Sequence, residues 1–487
     1  MSSQVVVIVT LVFYKLVLLG IGVWASRRVA SESDFFIAGK GEGGSGGDGL
    51  GPWVAGLSYA ASTSSAWVLL GFTGLVFTKG FVALWLIPGI FSGYILTWLV
   101  MGPRLNAETA ARGHITIVDF ITGDLDGRWK RIIGIVCALM ILFCFVFYIS
   151  SQFQAAGNAL TSVLGINTTE AVLIGATVIV IYCLLGGFWA ASVTDTLQAG
   201  VMMLACILVP VAALLAGGGF GQIQSGLQDA VPANYFSFTG GALGMAGIGA
   251  AMGLMGTGLG ALGQPQLLNR IMAVKSQKAR VQGALITIGW GSIIYLGLTV
   301  LALSVRALSA DLSWQVTPGG ESLFFEAAEN FLPPVLAGIV IAAVLSAVMS
   351  TVDSLLLAAA SAVSHDMGVP HKSPKSALML GRLSMIGVAV LAVIMTLYLP
   401  KDIFSRVLFA WVALGAAFGP TVLTRCLGWR VPGAYVLAAI VVGFAIAVKA
   451  SAMPGYPADM MEKWGSWLVG LSILFVGKMH RPAKTNT

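Results

Sequence analysis

Charged residues are scarce in this chain. Only 10% of its 487 residues are Asp, Glu, Lys or Arg, whereas 57% are hydrophobic. A soluble protein of this length needs a polar surface that so few charges cannot supply, so the composition indicates a protein with many membrane-spanning helices. The net charge of +7 comes from Lys and Arg beside the apolar runs, which is typical of cytoplasmic loops and gives no reason to expect nucleic-acid binding.

Cysteine and histidine are also rare, which argues against several kinds of chemistry. The cysteines lie in or beside apolar runs without metal-ligand or disulfide spacing; they are Cys137, Cys144, Cys183, Cys206 and Cys426. The histidines fall in predicted loops or tails: His114, His365, His371 and His480. An intramembrane enzyme would need a nucleophile with a base, or metal ligands, inside the bilayer. We therefore predict that the protein is not an enzyme.

Phosphate-binding motifs are weak in this sequence. Residues 41–46 match G-x-G-x-x-G, but no strand precedes them, so a flexible glycine-rich loop is the better interpretation than a dinucleotide site. No nucleotide-binding loop with its required Lys is found, which argues against transport driven by ATP.

Long apolar runs dominate the chain. We predict thirteen spans, each near or above the ~20 residues that cross a bilayer: 4–25, 52–76, 80–102, 131–162, 169–188, 193–217, 239–268, 281–305, 331–365, 378–399, 403–424, 431–450 and 463–478. With the N-terminus outside, twenty Lys and Arg, Arg270 among them, lie in inner loops, and six, including Arg406, lie on the outer side. The positive-inside rule then predicts an outer N-terminus and a cytoplasmic C-terminus, in the plasma membrane (the inner membrane of a bacterium).

The span between residues 336 and 363 carries polar side chains near its centre. Ala347, Ser350, Thr351 and Ser354 share one helical face, and Asp353 flanks it. A carboxylate at this depth costs roughly 2.5–3.5 kcal/mol on insertion scales, so it should face a cavity and meet a partner. Grouped hard oxygen ligands suit a small cation such as Na⁺. Alternatively, the hydroxyls bond back to their own helix.

Two other spans contain residues that interrupt helices. Five hydroxyl residues lie between positions 58 and 65, and the stretch from Gly253 to Pro265 is rich in glycine and ends in proline. Interrupted helices at matching positions of two halves point to the binding site of a transporter. The alternative is that these small residues only allow close helix packing.

A second intramembrane acid, Asp195, follows the short polar turn at Gly186 and Gly187. It could cap the N-terminus of a helix or coordinate an ion, and the two roles are compatible. Trp67 and Tyr148 are candidate pocket walls, although packing is the commoner role of a lone aromatic in an apolar span.

Several segments resemble one known family, the sodium/solute symporters, and within it the sodium/proline branch. They are FFIAGK, LGPWVAGLSYAASTSSAW, GGFWAASVTDTLQAG, GQPQLLNRIMA, AAVLSAVMSTVDSLL and GAAFGP. The resemblance implies an all-α membrane protein with a LeuT-like core of two inverted five-helix repeats. A single transporter domain, 1–487, would comprise an N-terminal helix and glycine-rich loop (1–51), a first repeat (52–217), a second repeat (218–424) and C-terminal helices (425–487).

The resemblance also implies site residues. A sodium ion would bind the carbonyls of Ala61, Ser64 and Ala347 and the hydroxyls of Ser350 and Thr351. A second sodium, or charge support for the first, would involve Asp195, Asp353 and Ser354. The solute pocket would be formed by Ser65, Ala66, Trp67, Tyr148, Thr257, Ala261, Gln264 and Pro265.

The sequence departs from the proline pattern in four places. Thr63 stands where that branch has an Asp, Thr257 and Ala261 stand where it has Trp and Tyr, and the loop after Lys40 carries a glycine-rich insertion. Losing two aromatic side chains should enlarge the pocket, and we expect Asp353 to balance the lost acid by restoring one negative charge.

The sequence therefore predicts a sodium-coupled symporter that imports a small organic solute, with proline or a related amino acid as the expected solute. The alternatives are a sodium symporter for another solute, such as a monocarboxylate or a compatible solute, and a non-transporting sensor or channel on the same scaffold. The expected partners are Na⁺, the solute and membrane lipids, with no required protein partner evident.

Overall fold

The computed structural model describes residues 3–26, 32–38, 49–185, 187–309, 316, 319–368, 373–399 and 403–480. These residues form helices and connecting loops, and their β-structure is limited to one isolated bridge between Leu50 and Val274. Residues 41–48 of the glycine-rich loop lie outside the described residues, as does His371.

The described residues of the first half of the chain form ten α-helices. They are α1 (Ser3–Ser26), α2 (Glu32–Ile37), α3 (Pro52–Thr63), α4 (Thr73–Lys79), α5 (Leu86–Ile95), α6 (Gly102–Arg112), α7 (Ile117–Thr122), α8 (Gly127–Leu164), α9 (Thr168–Leu185) and α10 (Phe188–Ala216). π-Helical turns occupy Trp67–Phe72 and Leu96–Met101, and a 3₁₀ segment occupies Gly80–Trp85. The predicted separation of the fifth and sixth spans is confirmed, with Gly187 extended just before α10.

The described residues of the second half of the chain form eleven further α-helices. They are α11 (Phe220–Ala230), α12 (Gly244–Met255), α13 (Pro265–Met272), α14 (Gln277–Leu308), α15 (Leu323–Phe331), α16 (Pro334–Ser361), α17 (Pro374–Tyr398), α18 (Ile403–Cys426), α19 (Gly433–Ser451), α20 (Tyr456–Met460) and α21 (Ser466–Met479). 3₁₀ segments occupy Ala233–Phe236 and Gly256–Gly263, and π-helical turns occupy Ala362–Asp366 and Met461–Gly465.

Both expected helix interruptions are present. Helix α3 ends at Thr63, where Ser64 leaves the helical region with φ −98° and ψ 64°. Helix α12 ends at Met255 and is followed by the 3₁₀ segment. Gln264 is then extended, with φ −85° and ψ 110°, and α13 begins at the next residue. A proline at the first position of α13 fits this restart, because it lacks the N–H that a helix start leaves unpaired.

Glycine allows the second interruption to pack closely. A Cβ on Gly258 would collide with the backbone of Gly89 in α5, and a Cβ on Gly260 would collide with the ring of Trp411 in α18. The 3₁₀ segment therefore lies against α5 and α18 with almost no side-chain spacing, which fixes its position in the bundle.

Helix α16 lies at the centre of the bundle. It contacts α1, α3, α8 and α10. In its most apolar stretch, 83% of the residues are buried, whereas in the most apolar stretch of Leu378–Tyr398 only 28% of the residues are buried. Helix α16 is thus surrounded by other helices. Leu378–Tyr398 presents most of its apolar surface outward, as a lipid-facing helix does.

The described residues include nine helices that are long and apolar enough to cross a membrane. The predicted spans 52–76 and 80–102 both overlap one of these helices, Trp67–Arg112. The shorter apolar helices Val12–Ile21 and Thr168–Ile181 overlap the predicted spans 4–25 and 169–188. The multi-pass architecture is therefore confirmed, whereas the count of thirteen spans and the repeat boundaries stay predictions.

Candidate ion and solute site

The interruption after α3 brings backbone oxygens to the middle of α16. Ser350 Oγ lies 3.4 Å from the carbonyl oxygen of Ala61 and 3.2 Å from that of Ala347. Carbonyls in the last turn of a helix lack their usual intrahelical donors, so the end of α3 supplies free acceptors. Three of the five expected sodium ligands therefore meet in the structure.

The remaining two expected ligands lie on the same elements. Thr351 follows Ser350 on α16, and its Oγ1 is buried without a hydrogen-bond partner among the described residues. Ser64 is the residue that ends α3, and its amide donates to the carbonyl of Ala60 at 2.9 Å. A buried hydroxyl without a partner is costly, and a bound cation would satisfy it. The residues present thus fit a small hard cation.

The two acids and Ser354 meet in a single buried network, but with a basic residue at its centre. Arg270 Nη2 donates to Asp195 Oδ2 at 2.8 Å and to Ser354 Oγ at 2.6 Å. Ser58 Oγ donates to the same Asp195 oxygen at 2.6 Å and accepts from Arg270 Nε at 2.6 Å. Helix α13 carries the guanidinium into this network, because α13 restarts inside the bundle after the second interruption.

Ser354 connects this network to the ion site. Its Oγ donates to the Ser350 carbonyl at 2.6 Å, lies 3.1 Å from Asp353 Oδ1, and is 3.0 Å from Ser62 Oγ on α3. The network contains two carboxyl groups and one guanidinium, so with both carboxyls ionised it carries one net negative charge, which favours a nearby cation.

Four expectations are corrected here. Asp195 does not cap a helix, because α10 begins at Phe188 after Gly187 and Asp195 lies two turns inside it. Arg270, predicted to lie in an inner loop, has a side chain only 1% exposed. Of the other two corrected positions, Arg406 is buried in α18 rather than in an outer loop, and His365 lies in the π-helical turn that follows α16.

The eight expected solute-pocket residues are all buried: Ser65, Ala66, Trp67, Tyr148, Thr257, Ala261, Gln264 and Pro265. Tyr148 Oη donates to Ser65 Oγ at 3.4 Å, and the Ala66 amide donates to Gln152 Oε1 at 3.2 Å. These contacts join the interruption after α3 to α8. A solute could reach such buried side chains only if surrounding helices move.

The other half of this set is organised around Trp411. Its indole Nε1 donates to the Thr257 carbonyl at 2.8 Å, and its own carbonyl accepts from Gln264 Nε2 at 2.8 Å. Within the part of the chain that the structure describes, the buried Thr257 hydroxyl has no hydrogen-bond partner. Trp411 therefore places an indole ring beside Thr257, one of the two positions where the proline pattern has an aromatic side chain.

The sodium:solute symporter family model matches residues 45–443. The chain belongs to the sodium:solute symporter family.

Similar symporters were found by sequence and by structure. The chain is 31% identical to the sodium/proline symporter of Escherichia coli (strain K12) over 450 residues, 91% of this chain and 86% of the relative. It is 33% identical to the osmoregulated proline transporter OpuE of Bacillus subtilis (strain 168) over 447 residues, 90% and 87% of the two chains. A solved Na⁺-coupled sialic acid symporter in a substrate-bound outward-open state superposes with a TM-score of 0.80 at 16% identity, covering 97% of this chain and 98% of that chain. The expected LeuT-like, all-α fold is thereby confirmed.

Sequence reasoning assigned no role to three residues of the site: Ser58 and Arg270, which belong to the buried network of Asp195, and Trp411, which contacts Thr257 and Gln264. Arg270 lies inside the segment GQPQLLNRIMA, which was recognised, but its position at the end of an apolar run is typical of a cytoplasmic flank. Trp411 lies in an apolar span with nothing local to mark it. The only available signal was Asp195 itself, since a buried acid requires a partner.

Proposed function

We propose that this symporter couples the inward flow of Na⁺ to the uptake of proline or a related amino acid. The observation that carries the proposal is the contact of Ser350 Oγ with the carbonyls of Ala61 and Ala347 at the interruption after α3. In transporters of this architecture, freed carbonyls at a broken helix coordinate the coupling cation. Family membership supports Na⁺ as that ion.

Ala61, Ser64, Ala347, Ser350 and Thr351 would hold the ion. A cation that leaves water needs replacement oxygens, and these five residues offer three carbonyls and two hydroxyls. The net negative charge of Asp195, Asp353 and Arg270 would offset part of the remaining desolvation cost. We place Asp195, Asp353 and Ser354 in this supporting role, since Arg270 already binds Asp195 and Ser354.

The solute would bind beside the same interruption. Ser65, Ala66 and Trp67 directly follow the proposed ion ligands of α3, and Tyr148, Thr257, Ala261, Gln264 and Pro265 complete the set. Binding of the ion would organise the end of α3 and thereby the solute position, so each ligand would increase the affinity for the other by the same factor. The two proline-transporting relatives support proline, whereas the small side chains Thr257 and Ala261 favour testing larger solutes as well.

Uptake into proteoliposomes tests the function. Purified protein with an inward Na⁺ gradient should accumulate labelled proline above the level reached with equal Na⁺ on both sides, and a proton gradient should not substitute. An excess of unlabelled hydroxyproline, a monocarboxylate or a compatible solute then ranks the alternatives by competition. Absence of Na⁺-driven accumulation for every solute would contradict symport, and stronger competition by another class than by proline would change only the solute.

We further propose an outer N-terminus and a cytoplasmic C-terminus in a bacterial inner membrane, with the first and second repeats at 52–217 and 218–424 and no protein partner required for transport. The charge asymmetry of the loops supports the orientation. Lys275 and Lys79 are both exposed and belong to opposite sides in this topology. In intact cells, a membrane-impermeant thiol reagent should label Lys79→Cys and not Lys275→Cys. The reverse pattern would contradict the orientation.

A further inference from the structure

A cavity of about 430 Å³ lies at one end of the bundle, distant in sequence from the ion and solute residues. Its walls come from the α7–α8 connection, the end of α18, the loop to α19, and α19 and α21. The volume falls in the range of small-molecule sites, about 300–1,000 Å³. In the proposed topology this end faces the cytoplasm.

The charged side chains in the wall differ in how they are paired. Arg425 Nη1 donates to Asp124 Oδ2 at 2.9 Å, and its Nη2 donates to Glu108 Oε2 at 3.0 Å. Arg430 and Asp126 also line the cavity, and neither has an ion-pair partner among the described residues. The Asp126 carboxylate accepts from the amide of Trp129, at the start of α8. One cation and one anion are therefore available to a ligand.

The wall also contains buried polar atoms without partners. Thr421 is only 3% exposed and Arg425 only 7% exposed, yet Thr421 Oγ1 and Arg425 Nε have no hydrogen-bond partner in the part of the chain that the structure describes. Leaving such groups unpaired costs about 1–3 kcal/mol each. Both residues line the cavity, so its wall contains polar groups that the described part of the protein leaves unpaired.

The aromatic side chains suit an interfacial, partly apolar ligand. Trp129 and Trp429 both line the cavity together with Val436 and Leu474. The ring of Trp429 already binds a cation, with Lys478 Nζ 4.5 Å from its centre, whereas no such contact is found for Trp129 in the described residues. The indole ring of Trp129 is thus available to an ammonium group.

We propose that this cavity binds a zwitterion composed of a primary ammonium group and a phosphate. The phosphate would bind Arg430, and the ammonium would bind Asp126 beside Trp129. Arg is well suited to phosphate because its planar group donates two parallel hydrogen bonds. The chemistry is that of a phosphoethanolamine group, either the head of a membrane lipid or a soluble ester.

Native mass spectrometry of the full-length protein tests the site. The protein is incubated with phosphatidylethanolamine or with phosphatidylglycerol, which carries the phosphate but no ammonium. We expect retention of phosphatidylethanolamine at least about tenfold above phosphatidylglycerol, equivalent to about 1.4 kcal/mol. Asp126→Asn should abolish that preference, and Arg430→Gln should reduce the retention of both lipids, because both carry the phosphate. Asn is a good helix N-cap, so Asp126→Asn leaves the start of α8 intact.

A thermal-shift experiment with glycerophosphoethanolamine separates the two sources. If the soluble ester stabilises the protein and both variants lose this effect, the site binds the soluble zwitterion as well as the lipid. If only the lipid is retained, the site binds the lipid head group. Arg128→Gln is the matched control, because Arg128 is exposed near the cavity but does not line it. Equal retention of the two lipids, or an unchanged preference in Asp126→Asn, would overturn the proposal.

Discussion

Arg270 Nη2 and Asp195 Oδ2 lie 2.8 Å apart, with side chains 1% and 0% exposed. Helices α13 and α10 carry these residues, 75 positions apart in the chain. Since the pair also holds Ser58 and Ser354, it connects both interrupted segments to α16. It therefore fixes the polar centre of the bundle.

Removing one member of this pair should destabilise the protein strongly. Asp195→Asn or Arg270→Gln leaves a buried charge without its partner, which costs about 3–5 kcal/mol. The double substitution should cost less than the sum of the two, because both charges are then absent. Thermal unfolding in detergent measures the three variants, with Arg382→Gln on α17 as the control. Strict additivity would show that the two side chains do not depend on each other.

The hydroxyls of Ser350 and Thr351 should determine the sodium requirement. Either residue changed to Ala deletes one proposed ligand, and an interaction with a charged group contributes about 1.5–3 kcal/mol. The sodium concentration for half-maximal uptake should therefore rise roughly ten- to a hundredfold. The double variant should lose less than the sum, because both hydroxyls would bind one ion.

Ser361→Ala is the matched control for this experiment. Ser361 is buried on the same helix, and its Oγ only donates to the Ala358 carbonyl, at 2.9 Å. Protein levels are measured alongside uptake. If Ser350→Ala and Thr351→Ala show the sodium dependence of the Ser361 variant, the proposed ion site is wrong.

Gly260 should not tolerate a side chain. A methyl group at this position would collide with the indole ring of Trp411, which binds both Thr257 and Gln264. We expect Gly260→Ala to cost about 1–3 kcal/mol of stability and to reduce proline uptake by moving Trp411. Gly289→Ala is the control, because no atom lies within 4 Å of its added Cβ. Equal melting temperatures and uptake in the two variants would contradict this role for Trp411.

The Asp119 carboxylate, in the first turn of α7, should make stability depend on pH. Burial raises its pKa, but the hydrogen bond from His365, the charge of His365 and the amides of Ile115 and Thr116 outweigh burial and lower the pKa to about 2. A carboxyl group whose pKa falls on folding stabilises the protein above its unfolded pKa, and this contribution disappears as pH falls through about 2.

Asp119→Asn tests that sign. At pH 7 the variant should be less stable than the wild type by about 2 kcal/mol, and the difference should shrink below pH 4. Unfolding midpoints measured between pH 7 and pH 2.5 give the comparison, with Asp229→Asn, an exposed acid, as the control. A difference that stays constant over this range would show that the Asp119 charge does not contribute.

The sequence alone determined the features that depend on local composition. The apolar length of α16, the hydroxyls of Ser350 and Thr351 and the glycine-rich run before Pro265 predicted a membrane helix, a candidate ion site and a helix interruption. Tertiary structure decided what long-range packing controls. Hydropathy assigned Arg270 to a loop, because a local pattern cannot distinguish a solvated flank from a charge that is buried beside an acid 75 positions away. It likewise could not place Trp411 beside Thr257, since that contact depends on how closely two glycine-containing segments approach.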